Sequence, residues 1–276
     1  MSRNNPDRSG AHDSQSVPPE VLRKLEFVSP TELVDLPSKG RYPQGHPLHG
    51  KQTAEIKFMT AKDEDILTSQ SLLKKGVAIE RFLQNVLLDK SINSESLLIC
   101  DRNAILIAAR ASGYGADYQT KVNCPHCNAV NELSFDLNDP VMKGVNIEDG
   151  WGIEDHGHEF TLTPPLTGLK VGIKLLTGKD ENYLAKMITD KRKNREEKNV
   201  SEQLRLMITS VEGDTSRATI DYYVDNMPTQ DSRYIRTAYA SVNPSTRIVQ
   251  DLECHSCGYE QEMEVPFGAD FFWPNR

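Results

Sequence analysis

The sequence predicts an α+β fold with a mainly helical body and short strands. Apolar residues recur every three or four positions in segments such as 77–88, and they alternate with polar residues in segments such as 53–58. The 276 residues allow one large or two modest domains. A formal net charge of -8 argues against a protein that binds the phosphate backbone of nucleic acid. No apolar run approaches the roughly 20 residues of a membrane-spanning helix.

The N-terminal part of the chain divides near residue 27. Residues 1–26 are predicted to form a flexible tail, because Ser, Asn, Asp, Pro and Gly dominate them and they offer little apolar surface. They contain no secretory signal, so we expect the protein to stay in the cytoplasm where it is made. Residues 27–116 are predicted to contain a loop rich in Pro and Gly, a short strand at 53–58 and helices at 61–75, 77–88 and 101–111. The loop is interpreted as a surface connector, with a docking loop as the alternative.

The rest of the chain is predicted to consist of two hairpins separated by an inserted region. Residues 117–137 and 247–276 each show a strand, a Cys-x-x-Cys pair and a second strand, and the latter ends in an aromatic tail. Residues 138–246 between them are predicted to form an α/β region that is mostly helical after residue 179. Its predicted elements are strands at 160–162 and 169–173 and helices around 183–188, 204–211 and 229–243. The charged run 190–198 is interpreted as a solvated helix face.

The two Cys-x-x-Cys pairs are the most informative motifs in the sequence. A thiolate pair with two intervening residues can bind one edge of a tetrahedral Zn²⁺, and two such pairs complete a closed four-sulfur site. The sequence therefore predicts a split four-cysteine zinc ribbon. The predicted ligands of this structural Zn²⁺ are Cys124, Cys127, Cys254 and Cys257.

The separation of the pairs is unusual, since 126 residues lie between Cys127 and Cys254. Compact zinc ribbons have about 15 to 20 residues at this point. Closing the longer loop costs only about 4 kcal/mol, because the cost grows with the logarithm of loop length. Structural zinc in small domains supplies about 10 to 16 kcal/mol. We therefore expect the metal to join stretches from opposite ends of the fold.

A redox function of Cys124 and Cys127 is the main alternative, because Cys-Pro-His-Cys is the dithiol sequence of certain thioredoxin-like oxidants. Such a motif opens a helix, whereas residues 128–137 alternate like a strand, and the second pair would have no role. Structural zinc is the preferred interpretation, and a cytoplasmic thiol oxidoreductase stays the alternative. A zinc-ribbon nucleic-acid binder is a second alternative, which the acidic net charge disfavours.

The remaining candidate residues suggest no catalytic site. Cys100 lies in an apolar segment and is interpreted as a small buried hydrophobic residue. His126 and His255 are expected to face solvent, and the His156–His158 segment is interpreted as a polar loop. The chain has no phosphate loop, nucleophile elbow or His-Glu-x-x-His motif, so we expect a protein that is not an enzyme. The candidate partner-binding residues are the aromatic side chains of Tyr42, Phe271, Phe272 and Trp273.

Several stretches in the same order resemble the T4-like bacteriophage baseplate protein family. The resemblance covers most of the chain beyond the N-terminal tail and includes both Cys-x-x-Cys pairs. The other stretches are LPSKGRYP at 36–43, EIKFMTAKDEDIL at 55–67, LLKKG at 72–76, DRNAIL at 101–106, SGYG at 112–115 and FFWP at 271–274.

This resemblance implies a structural or assembly protein of the baseplate hub in a contractile-tailed phage. The implied partners are other phage tail and baseplate hub proteins, with no nucleic acid, membrane or small-molecule substrate. The implied location is the host cytoplasm during assembly and, for a permanent subunit, the baseplate of the virion tail. The family offers no catalytic residues, and a permanent hub subunit and a transient assembly factor both remain open.

Overall fold

The computed structural model describes residues 30–147, 152–191, 199–265 and 269–272. The described residues from Thr31 onward belong to one compact unit. The predicted flexible tail at 1–26 and the candidate residue Trp273 lie outside the described residues. The division of the chain into a helical region, two hairpins and an insertion stays a prediction.

Helices and strands both run through the described chain, which confirms the predicted α+β class. Because strands are also numerous, the prediction of a mainly helical body is not confirmed. In chain order the elements are β1 (Thr31–Asp35), β2 (Thr53–Lys57), α1 (Ala61–Thr68), α2 (Gln70–Lys75), α3 (Ala78–Val86), α4 (Ile99–Tyr114), β3 (Asp117–Asn123), β4 (Val130–Asp136), β5 (Val141–Lys143), β6 (Glu154–Asp155), β7 (Glu159–Leu162), β8 (Val171–Lys174), α5 (Gly178–Lys191), α6 (Asn199–Met207), β9 (Ile208–Val211), α7 (Arg217–Asn226), α8 (Thr229–Val242), β10 (Ser245–Arg247), β11 (Val249–Glu253) and β12 (Glu260–Glu264).

All strand pairs within the described residues are antiparallel. Four of the sheets have two strands each, namely β1 with β2, β3 with β4, β11 with β12 and β5 with β10. The fifth sheet has the order β6-β7-β8-β9. Pairs that are close in sequence form hairpins, whereas β5 and β10 join residues about a hundred positions apart.

The structure corrects two of the predicted helices. The helix predicted over 61–75 is interrupted at Ser69, whose backbone is extended, and Thr68 donates its hydroxyl hydrogen to the carbonyl oxygen of Glu64 at 2.9 Å. Such side-chain bonds to the backbone compete with helix continuation. The helix predicted over 204–211 ends at Met207, because Ile208–Val211 pairs with β8 as a strand. Tertiary pairing here overrides the apolar spacing.

Further elements were not predicted, among them β1 and α7. Thr31–Asp35, expected to be part of a loop, forms β1 and pairs along its whole length with β2. Arg217–Asn226 forms α7, which begins after Ser216. The Ser216 hydroxyl accepts a hydrogen bond from the backbone N–H of Thr219 at 3.4 Å, as expected of an N-cap.

Helix α4 lies at the centre of the main hydrophobic core. It contacts β1, β2, β10, α3 and α5, which come from both halves of the sequence. Its residues Ile105, Ile107 and Ala109 are buried, in agreement with the broadly apolar pattern of the sequence. Because β10 belongs to the C-terminal part of the chain, this packing brings the two ends of the fold together.

A buried carboxylate attaches the N-terminal loop to α4. Asp101, fully buried in the first turn of α4, accepts hydrogen bonds from the Ser38 backbone N–H at 2.9 Å, the Ser38 hydroxyl at 2.6 Å and the Tyr42 hydroxyl at 2.7 Å. The Tyr42 oxygen in turn accepts from the Leu98 N–H at 3.1 Å. Burial raises the pKa of Asp101, and the hydrogen bonds from Ser38 and Tyr42 oppose that rise. The loop is therefore fixed by a polar network.

We expect Asp101→Ala to lower the free energy of unfolding by about 3 kcal/mol, because it leaves buried donors of Ser38 and Tyr42 without an acceptor. Denaturant unfolding measures this change. Asp65→Ala is the matched control, since Asp65 is an exposed aspartate in α1 and its loss should change stability by less than about 0.5 kcal/mol. Equal unfolding free energies for the two variants would contradict the role of the network.

Candidate metal centre

Two hairpins with their bases in the main core position the cysteines at their tips. In the first hairpin, β3 and β4 place Tyr118 opposite Phe135, and both side chains belong to the main core. The second hairpin, β11 and β12, is flanked by Ile248 and Val265, which also lie in the core. Cys124 and Cys127 occupy the turn of the first hairpin, and the other two cysteines occupy the turn of the second.

The two turns have the same backbone geometry. The Asn128 N–H donates to the carbonyl oxygen of Cys124 at 2.8 Å, and the Gly258 N–H donates to that of Cys254 at 2.8 Å. Asn128 and Gly258 occupy equivalent positions with φ of 60° and 68°. Gly and Asn adopt this left-handed conformation at the lowest cost. Each turn therefore presents its cysteine pair in the same way.

The four sulfur atoms converge as the sequence predicts, all within 4.8 Å of one another. The Sγ atoms of Cys124 and Cys257 are 3.8 Å apart, and those of Cys127 and Cys254 are 3.6 Å apart. A tetrahedral zinc ion with bonds of about 2.3 Å requires sulfur separations of about 3.8 Å, whereas a disulfide requires about 2.05 Å. The arrangement fits a four-thiolate metal site and no disulfide.

The tips of the hairpins have little apolar surface of their own. Cys124 and Cys254 are buried, whereas Cys127 and Cys257 are exposed. Val122 lies two positions before Cys124, and Leu252 lies two positions before Cys254. Both are buried, and neither belongs to the main core. Small folding units with such a limited core usually depend on a metal or a disulfide.

The electrostatics of the cluster favour a bound cation. Burial raises the pKa of Cys254, but hydrogen bonds from the backbone N–H groups of Ser256 and Cys257 lower it to about 6. At Cys257 the Tyr259 N–H lowers the pKa, whereas burial and the neighbouring thiols raise it to about 12. The two pKa shifts have opposite directions, because the neighbouring thiols oppose the ionisation of more than one sulfur. A divalent cation would stabilise all four groups as thiolates.

Asn131 is a supporting residue of the cluster that sequence reasoning missed. It lies on β4, is buried, and its amide N–H donates to the Cys254 sulfur at 3.7 Å and to the Ala129 carbonyl at 2.9 Å. Its carbonyl oxygen contacts the Nδ1 of His255 at 2.6 Å and accepts from the His255 backbone N–H at 3.2 Å. Asn131 therefore links the first hairpin to the second knuckle, which is the Cys-x-x-Cys turn at residues 254–257. A polar residue at an inward position of a strand was the available signal.

The histidines that were considered as metal ligands form other contacts. His126 stacks on Tyr259 across the two turns, with ring centroids 5.5 Å apart and an interplanar angle of 10°. His255 is exposed, as predicted, and its Nδ1 contacts the carbonyl oxygen of Asn131. His156 contacts the Thr161 hydroxyl at 3.0 Å, which suits the predicted polar loop. Among the described residues, the four cysteines are the one group arranged to hold a metal.

Three of the four aromatic residues considered for partner binding, Tyr42, Phe271 and Phe272, are buried. Tyr42 is bound to Asp101, and Phe271 and Phe272 are buried and pack edge-to-face against each other. The Phe271 carbonyl accepts from the buried guanidinium of Arg110 at 2.9 Å. The role of these side chains, and of Trp273, at a partner interface stays a prediction, and the burial of the first three counts against it. The predicted burial of Cys100 is confirmed.

The fold and the cluster define an α+β protein whose distant ends meet at a candidate metal centre. The chain matches the family described as T4 bacteriophage base plate protein over residues 31–273. Because this match covers most of the sequence, the chain belongs to that family. No curated protein and no solved structure gives a match.

Family membership indicates a structural protein of the phage baseplate, a role that is not enzymatic. It also indicates a location in the phage tail and contacts with other baseplate proteins. Within the described part of the chain, the helices are all too short or too polar to span a bilayer.

We expect Asn131→Ala to weaken Zn²⁺ binding about 10- to 100-fold, because residues that support metal ligands typically contribute this much. Competition against a zinc-sensitive dye measures the affinity. Asn123→Ala is the matched control, since Asn123 is an exposed asparagine in the same hairpin. An unchanged affinity in the Asn131 variant would show that the residue does not support the site.

Proposed function

We propose that the chain is a subunit or assembly factor of the baseplate hub. We also propose that a structural Zn²⁺ holds together its two knuckles, the Cys-x-x-Cys turns at residues 124–127 and 254–257. The convergence of four cysteine sulfur atoms within 4.8 Å carries the zinc part of this proposal. The hub role rests on family membership and on the hub role that the resemblance to T4-like baseplate proteins implies. The cation would supply charge neutralisation and a fixed link between the hairpins, and no reaction is assigned to it.

Zinc suits this donor set better than Mg²⁺ or Ca²⁺ does. Four thiolates at tetrahedral separations are typical of structural zinc, whereas Mg²⁺ and Ca²⁺ prefer oxygen ligands. A site closed by four cysteines leaves no position for a reactive water, which agrees with a structural role. Each cysteine of the first pair has its sulfur within 3.8 Å of a cysteine sulfur of the second pair. A single ion can therefore bind both pairs.

The geometry disfavours the thiol oxidoreductase. An acidified redox dithiol usually lies at the start of a helix, whereas Cys124 and Cys127 lie in a turn between β3 and β4. Each of these thiols is also within 3.8 Å of a sulfur from the second pair. A catalytic dithiol would have no use for such neighbours.

The exposure of Cys127 and Cys257 gives a direct test of the metal. Thiols on the surface should react quickly with a thiol reagent, but coordination to Zn²⁺ protects them. We expect one zinc per purified chain, slow modification of all four cysteines, and rapid modification of Cys127 and Cys257 after chelation. Elemental analysis, thiol titration and mass spectrometry of the modified residues measure these quantities.

Two substitutions complete this test. Cys254→Ser should abolish stoichiometric zinc and lower the thermal stability, because it removes one ligand. Cys100→Ala should leave one zinc per chain, since Cys100 is buried in the main core away from the cluster. Rapid modification of the untreated protein, or a dithiol that is oxidised and reduced reversibly without metal, would favour the oxidoreductase instead.

Complementation of a phage that lacks this protein tests the hub assignment. We expect the wild type and Cys100→Ala to restore tails with complete baseplates, and Cys254→Ser to fail because its knuckles separate. Electron microscopy of tails and the protein composition of purified baseplates measure the outcome. Normal baseplates in the absence of the protein would refute the assignment, and its presence or absence in finished particles distinguishes a subunit from a transient factor.

A further inference from the structure

The outer edge of β1 is unpaired among the described strands. The register of β1 against β2 and the bond from the Leu36 N–H to the Gln52 carbonyl at 2.7 Å make Val34 and Ala54 a hydrogen-bonded pair. The N–H and carbonyl groups of the alternate residues Leu33 and Asp35 therefore point away from β2. No other described strand pairs with that edge. An exposed strand edge is a ready template for another strand.

A groove of about 230 Å³, with both apolar and polar surface, runs beside this edge. Its floor is formed by small and aliphatic side chains of α4, and its far wall by the segment around β5. Leu33 on β1 and Met142 on β5 are exposed at 67% and 43%, which is high for large hydrophobic side chains. The lining residues from α4 are Ala104, Ile107, Ala108 and Ala111. The groove thus offers backbone hydrogen bonds on one side and apolar contacts on the other, as in binding by strand addition.

The charges at the groove specify the occupant further. Glu32 and Asp35 both line it, and neither forms an ion pair within the described part of the chain. Lys57, which lies opposite Thr31 on β2, pairs with Asp63 at 3.5 Å. Burial raises the pKa of Glu32, which shows that its carboxylate is partly removed from water. An occupant with Lys or Arg beside its apolar residues would neutralise both acids.

We propose that an extended segment of another baseplate protein, apolar and flanked by Lys or Arg, adds a strand to the free edge of β1 in this groove. A second copy of the chain fits less well, because it would bring the same acidic strand to the seam. This inference rests on the proposed function for the identity of the partner. It does not depend on the zinc site, because the groove is formed by β1, α4 and β5.

A photo-crosslinking residue in place of Met142, expressed in phage-infected cells, tests the proposal. We expect an adduct with one other baseplate protein, mapped by mass spectrometry to an apolar segment that contains Lys or Arg. The same crosslinker in place of Tyr222, which is 74% exposed on α7 outside the groove, reports general association with the baseplate. For each of the two positions, the measured quantity is the amount of adduct per chain.

Variants of β1 separate strand addition from simple apolar contact. Leu33→Pro removes an N–H that the fold does not use, so we expect normal folding and an adduct yield lower by about tenfold or more. Leu33→Ala keeps the N–H and should reduce the yield less. Asp35→Lys, at an exposed position, should also lower the yield by repelling the basic partner.

The outcomes distinguish this inference from the hub assignment. Adducts from position 222 together with none from position 142 would overturn strand addition and leave the hub assignment intact. An adduct at 142 with a second copy of the chain, or equal yields for Leu33→Pro and wild type, would also overturn it. The absence of baseplate adducts from every position would contradict the proposed function itself. Circular dichroism and thermal melting verify that each variant is folded.

Discussion

The convergence of two cysteine pairs at the tips of two hairpins is the constraint on which the C-terminal part of this structure depends. The hairpin bases are held by the main core through residues such as Tyr118 and Val265, but the tips bury little apolar surface of their own. Four sulfur atoms in so small a volume repel one another when ionised, as the opposite pKa shifts of Cys254 and Cys257 indicate. A cation at this point would convert that repulsion into attraction and join the ends of the fold.

The main hydrophobic core also joins the N-terminal and C-terminal parts of the chain. Helix α4 packs against β1 and β2 from the N-terminal part of the chain and against β10 from the C-terminal part. Asp101 at its start holds the N-terminal loop, and Arg110 near its end holds the Phe271 carbonyl. A single helix thus connects distant stretches through buried polar bonds, which fix position more specifically than apolar contact alone. A rigid body of this kind suits a protein that presents fixed surfaces to other subunits of an assembly.

The stretches that resemble the baseplate family acquire a physical meaning in the structure. Ser38 and Tyr42 of the LPSKGRYP stretch donate to Asp101 of the DRNAIL stretch, so two separate motifs form one network. Phe271 and Phe272 lie in the core, and Phe271 contacts both Tyr118 and Arg110. Several of the stretches that resemble the family therefore serve the internal structure. The proposed partner surface is the outer edge of β1, residues 31–35, which lies just before the first of these stretches.

The sequence alone determined the fold class, the four cysteines that cluster, both hairpins and helices such as α8, because these depend on local spacing of residues. It failed where long-range pairing decides, as at Thr31–Asp35 and Ile208–Val211, which become strands only because partners lie beside them. The contacts of Asn131 with Cys254 and His255, more than a hundred residues away, were equally beyond it. Local patterns record what each segment can form, whereas packing between distant segments selects among those forms and brings the four sulfur atoms together.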